Sequence, residues 1–167
     1  NVVGDGSNQV PPDATINSAT LTLECLDESN SNGDQGVSLY RLLQSWDETD
    51  TWNSAFGGGG AQPDGSAAAT EDDSPDTGSK GPTDFDVTAT VKAWVDGGDN
   101  HGWALLPNGP DGWDFATSEN QSAAKPKLSV TYSVPVDGVG GADDDDGEDD
   151  DLDANSSSST SPARTST

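Results

Sequence analysis

The chain has no methionine, one cysteine and one histidine in 167 residues. A single cysteine, Cys25, excludes an internal disulfide. One histidine and one cysteine leave zinc without a ligand set. Positive charge is equally scarce: six Lys and Arg stand against 31 Asp and Glu. Ten of the acids and one base lie from Asp137 onward, which leaves a body with 21 acids, five bases and a net charge of −16. Such a surface repels polyanions, so nucleic acid and anionic membranes are not expected partners. No apolar run is long enough to span a bilayer. The chain starts at Asn1 rather than Met, which suggests a mature form or a piece of a longer, exported protein. At molar salt the Debye length falls to about 3 Å, and self-repulsion of this kind is screened. Few lysines and many aspartates therefore fit a halophilic protein.

What is present is mainly strand pattern. Ala19–Leu26 alternates apolar and polar, with Cys25 on the apolar face as a small buried hydrophobe. Val37–Leu43, the short "DFDV", "GWALL", "WDFAT" and "KLSVTYSV" read as further strands. Val87, Val91, Trp94 and Val95 make one helical stripe, ended by the glycines of "DGGDN". "PNGPDG" suits tight turns. Residues 1–11 read as an irregular lead-in and 12–136 as the domain. Within it, 57–83, rich in Gly, Ala and acids, reads as a mobile surface loop. Residues 137–167, acidic and then Ser/Thr-rich, read as a disordered linker or tail. The sum is an all-β protein, an antiparallel β-sandwich of jelly-roll type with one short helix.

Chemistry is harder to place. "SWDE" has the form of a capping box, Ser45 with Glu48, which would turn Trp46 and Trp52 inward as core. Trp94 falls on the helical stripe and is core too. Trp103 sits among leucines. Trp113, between Gly112 and Asp114, is the best candidate to stand exposed and stack on a sugar ring. Trp103, Asn108, Asp111, Arg41 and Lys92 are secondary candidates for the same site. Asp96, Asp99 and Asn100, beside His101, offer hard oxygens for Ca²⁺, as does the Asn108–Asp114 turn, although neither has EF-hand spacing. A solvated helix end is the plainer reading of the first group. Asn120 and Asn155 begin glycosylation sequons. Carboxylate pairs such as Asp47–Glu48 or Asp114–Glu119 are too common in this chain to indicate a glycosidase. His101 has no nucleophile elbow near it.

Four segments in order carry a resemblance: "ATINSATLTLECL", "VSLYRLLQSWDETDTWN", "DFDVTATVKAWVDGGDNHGWALL" and "FATSENQSAAKPKLSVTY". Together they resemble the DNRLRE domain, also classed as carbohydrate-binding module family 96, in an acidic, haloarchaeal-type form. The resemblance covers roughly Pro12 to Val134. It implies a β-sandwich, with further strands ahead of the first segment that this chain does not match. It implies an extracellular or cell-surface location, attachment to another domain and no catalytic residues. Some members bind acidic polysaccharides such as alginate. With so few cations here, a neutral glycan, or an acidic one bridged by Ca²⁺ or screened by salt, fits the charge better. A structural spacer or adhesion module without a glycan site is the alternative.

Overall fold

The computed structural model describes residues 1–26, 36–77, 80–110, 113–120, 124–135 and 164–166. Its elements are β1 (Thr15–Cys25), β2 (Val37–Arg41), α1 (Trp52–Phe56), β3 (Gly81–Asp86), α2 (Thr88–Val95), β4 (Trp103–Pro107), β5 (Lys127–Ser133) and β6 (Arg164–Ser166). Every strand pairing is antiparallel. One sheet has the order β3-β1-β5-β6, and β2 pairs with β4 in a second. One core unites them. Ile16, Ala19 and Leu23 of β1, Phe85 of β3 and Val130 of β5 meet Val37 and Leu39 of β2, with Val91 and Trp94 of α2 closing over them. This is the expected sandwich, with two short helices rather than one.

The alternation that marks β1 in the sequence carries one irregularity. Ile16 and Ala19 are both buried although three residues apart. The register explains it: Ile16 opposes Tyr132 while Ser18 opposes Thr131, so Asn17 is an extra residue. A β-bulge of this kind resets the period, so both apolar side chains reach the core. β3 lies at a sheet edge, which is where Pro82 can stand in a strand without removing a ladder hydrogen bond.

The helical stripe is realised as α2. Its end is a Schellman motif: Gly97 N–H donates to Trp94 C=O at 3.2 Å and Gly98 N–H to Ala93 C=O at 2.9 Å. The two glycines serve different ends. Gly97 has φ +95°, while a Cβ on Gly98 would lie 2.7 Å from the Ala93 carbonyl oxygen.

Two expectations are corrected. "WDFAT" is not a strand; Phe115 makes a single bridge to Cys25. The Ser45–Glu48 capping box does not form. The Asp47 carboxylate instead accepts the amide and hydroxyl of Thr49, and Asp47 N–H donates to Asp50 at 2.9 Å, closing a local turn where a helix would have begun. The capping box that does form is Thr51 with Ser54, at the start of α1.

The segment 57–83 reads from composition as a mobile surface loop. Its described part is fastened to the sandwich. Ala61, Ala67 and Thr77 are buried. Asp73 C=O accepts Leu39 N–H at 2.9 Å and its carboxylate accepts Asp86 N–H at 2.8 Å, so it joins β2 to β3. Beside it, Asp72 accepts the Thr90 hydroxyl of α2 and the Trp103 indole N–H of β4, each at 2.8 Å. The last residues of this segment, from Gly81 to Thr83, begin strand β3. The expected disordered tail lies outside the described residues except for β6, which pairs with β5 from Val130 to Tyr132.

Candidate functional site

The β2–β4 ladder runs from Val37 opposite Pro107 to Arg41 opposite Trp103. Sequence candidates are divided between its two ends, four residue steps or roughly 14 Å apart at the usual rise per strand residue.

At the Val37–Pro107 end, Trp113 is not the exposed platform expected of it. Its ring lies 5.1 Å from that of Phe115, stacked, and 6.0 Å from that of Phe85, edge-on. Its Nε1 is buried with no hydrogen-bond partner among the described residues. Trp113 therefore packs against the core, and the apolar groove it shares with Leu105, Pro107, Pro110 and Phe115 offers a sugar little to hydrogen-bond. Asn108 is committed to structure. Its Oδ1 accepts the buried Ser38 hydroxyl at 2.9 Å, and its Nδ2 donates to Ser74 at 3.0 Å. Asp111 lies outside the described residues.

Trp103 is also structural. It lies 4.6 Å from Trp94, and its N–H is taken by Asp72. Arg41 is its cross-strand neighbour. Lys92 stands exposed on α2, apart from both grooves.

At the Arg41–Trp103 end the two chains leave the ladder as loops. Leu42 N–H donates to Gly102 C=O at 2.9 Å, holding the loops together one step further. Gly102 has φ +77°, a conformation open to glycine, and its N–H donates to Asn100 Oδ1 at 3.0 Å. Across these loops lies Trp46. It was expected in the core and is 49% exposed, the exposed one among the tryptophan side chains described. Its indole N–H donates to the His101 carbonyl at 2.9 Å, which fixes the ring. The reason is local. Trp46 is flanked by Ser45, Asp47 and Glu48, and the Asp47 turn gives it no helical face to bury. The Trp52 side chain lies outside what the structure describes.

The resulting groove encloses about 360 Å³ and is lined by Trp46, Asp47, Glu48, Asn100, His101 and Gly102. The Thr49 hydroxyl, and after it the Thr49 amide, hold the Asp47 carboxyl below its ordinary pKa, so it is an anion at neutral pH. The groove thus offers one aromatic face, carboxylate acceptors and an exposed amide. Among the described residues no lysine or arginine lines it. None of the described sugar-binding candidates from the sequence lines it; Asn100, read there as a Ca²⁺ ligand, does. Trp46 was missed because the capping-box reading turned it inward; its polar flanks were the available signal.

Asp96 and Asp99 follow α2 in the exposed loop. Among the described residues no three acidic, histidine or cysteine side chains converge to hold a metal, so these two and His101 do not form a Ca²⁺ group. Asn120 is half-buried, its sequon continues into residues outside the description, and Asn155 lies outside it. Among the described residues no helix is long and apolar enough to cross a membrane.

Comparison with known proteins places this geometry in context. The model of carbohydrate-binding module family 96 matches residues 7–132. A 53-residue stretch is 45% identical to part of the tRNA nuclease WapA of Bacillus subtilis strain 168. The same holds for the tRNA3(Ser)-specific nuclease WapA of Bacillus spizizenii. Each match covers 30% of this chain but only 2% of the relative's length.

Proposed function

The chain belongs to carbohydrate-binding module family 96, and from that premise we propose that the Trp46 groove binds a polysaccharide without transforming it. The observation that carries this is the exposed, fixed indole. An aromatic face left in water loses little by covering itself with the C–H face of a sugar. A ring already held by its own N–H also has less freedom to lose on binding. Neighbouring hydroxyls of that sugar donate to Asp47 and Glu48 and accept from the Asn100 amide. The lining favours a glycan without negative charge, since a uronate would meet two carboxylates and, among the described residues, no lysine or arginine.

In the same reading the module tethers a larger exported or cell-surface protein to the polymer. A matched segment that makes up 2% of each relative is what an accessory unit in a very long chain looks like. The test is retention on neutral and acidic polysaccharides in molar salt, with and without Ca²⁺. Wild type should be retained on a neutral polymer, and Trp46→Ala should lose at least tenfold in affinity while melting within a degree or two of wild type, since the side chain removed is half-exposed and belongs to neither core cluster. A folded wild type with no retention would favour the spacer reading.

The net charge of the body belongs to this proposal as an adaptation to salt. Raising NaCl from 0.1 to 1 M shortens the Debye length from about 10 to about 3 Å. The melting temperature should rise by roughly 5–10 °C, as about 2 kcal/mol gives in a domain of this size. A flat or falling melting curve against salt would remove the halophilic reading.

A further inference from the structure

The geometry points to a narrower ligand: a glycan of amine-bearing sugars, with the protonated amine seated between the Trp46 ring and the carboxylates of Asp47 and Glu48. This rests on the glycan reading of the groove and adds the charge of the sugar. The fixed indole presents a face on which a cation is attracted as well as a C–H surface. Asp47 is held anionic by Thr49 and stands next to that ring in sequence. The Glu48 carboxylate is exposed and makes no hydrogen bond among the described residues. Among the described residues no lysine or arginine lines the groove, so these two carboxylates have no permanently charged partner there, and His101 is the one other ionisable residue in the lining. A neutral sugar satisfies them only as hydrogen-bond acceptors. An ammonium group satisfies them as an ion partner too, and its bonds are of the stronger, charge-assisted kind. An N-acetylated sugar of the same backbone has the shape without the charge.

The experiment compares short, soluble β-1,4-linked glucosamine oligomers with their fully N-acetylated counterparts by calorimetry. It uses the full chain at moderate salt, in buffer where the amine is protonated. Wild type is expected to bind the amine oligomer about tenfold more tightly. In the Asp47→Asn/Glu48→Gln double variant that ratio should fall to about one, whatever its affinity for the acetylated form. The distal pair Asp5→Asn/Asp13→Asn removes the same charge from elsewhere on the exposed surface and should keep the ratio. A wild-type ratio near one, or a ratio untouched by the double variant, overturns the amine preference and leaves the glycan reading standing. A ratio lowered equally by the distal pair assigns it to overall charge and also overturns the preference. Binding of both oligomers that survives Trp46→Ala overturns the groove as the site.

Discussion

Replacing Asp72 by alanine is expected to lower the stability of the domain by about 3 kcal/mol, and its melting temperature by about 10 °C. The carboxylate is the meeting point of three parts of the chain that are distant in sequence. It accepts the Thr90 hydroxyl with both oxygens and the Trp103 indole N–H with one. The Asp72 amide donates to Leu39 C=O at 2.7 Å. Thr90 is 3% exposed, so its hydroxyl has no water to turn to once the carboxylate is gone. A lost charge-assisted hydrogen bond costs about 1.5–3 kcal/mol, and here two buried or half-buried donors are orphaned together. Asp72→Asn keeps one carbonyl acceptor and should cost roughly half as much. Chemical denaturation of the three proteins measures this. An alanine variant within 0.5 kcal/mol of wild type would show that the 57–83 segment is held mainly by its buried Ala61 and Ala67.

The second large effect is expected at Trp113. Truncation to alanine removes a ring packed on Phe85 and Phe115 and leaves a cavity against the core. Buried aromatic-to-alanine changes cost about 3–5 kcal/mol, and a half-buried ring belongs near the lower figure. The unpartnered, buried Nε1–H offsets a little of that loss, because its desolvation disappears with the ring. Trp113→Ala should therefore shift the melting curve strongly and leave glycan retention per folded molecule as it was. Trp46→Ala should do the reverse. If Trp113→Ala abolished retention while melting like wild type, the stacking platform would lie at the Val37–Pro107 end of the ladder.

This contrast shows which parts of the molecule the sequence encodes locally. The strands β1 and β5 and the helix α2 were legible because their apolar residues recur with period 2 or 3.6, and that periodicity is what the core requires. The bulge at Asn17 was not, since one inserted residue leaves local composition unchanged. Asp72 and Asp73 read as solvated charge in an acid-rich loop. Their partners, Thr90, Trp103, Leu39 and Asp86, are set by the fold. The tryptophans erred in both directions for one reason. Trp113 has polar or glycine neighbours yet meets Phe85 across the fold. Trp46 has polar neighbours too and stays outside, because the chain after it turns on Asp47. Neighbours along the chain bear on a side chain's exposure only where the segment belongs to a regular element. At the candidate site only Asn100 was singled out from sequence, and it was read there as a Ca²⁺ ligand rather than as a sugar contact.

The contact between Trp94 and Trp103, with ring centroids 4.6 Å apart at 53°, has a spectroscopic consequence. Two indoles that close and tilted couple their electronic transitions, so circular dichroism in the tryptophan bands reports whether α2 is docked on β4. Trp46, half in water, has the emission that a bound sugar would perturb. The protein thus carries one built-in reporter of its fold and another of its groove.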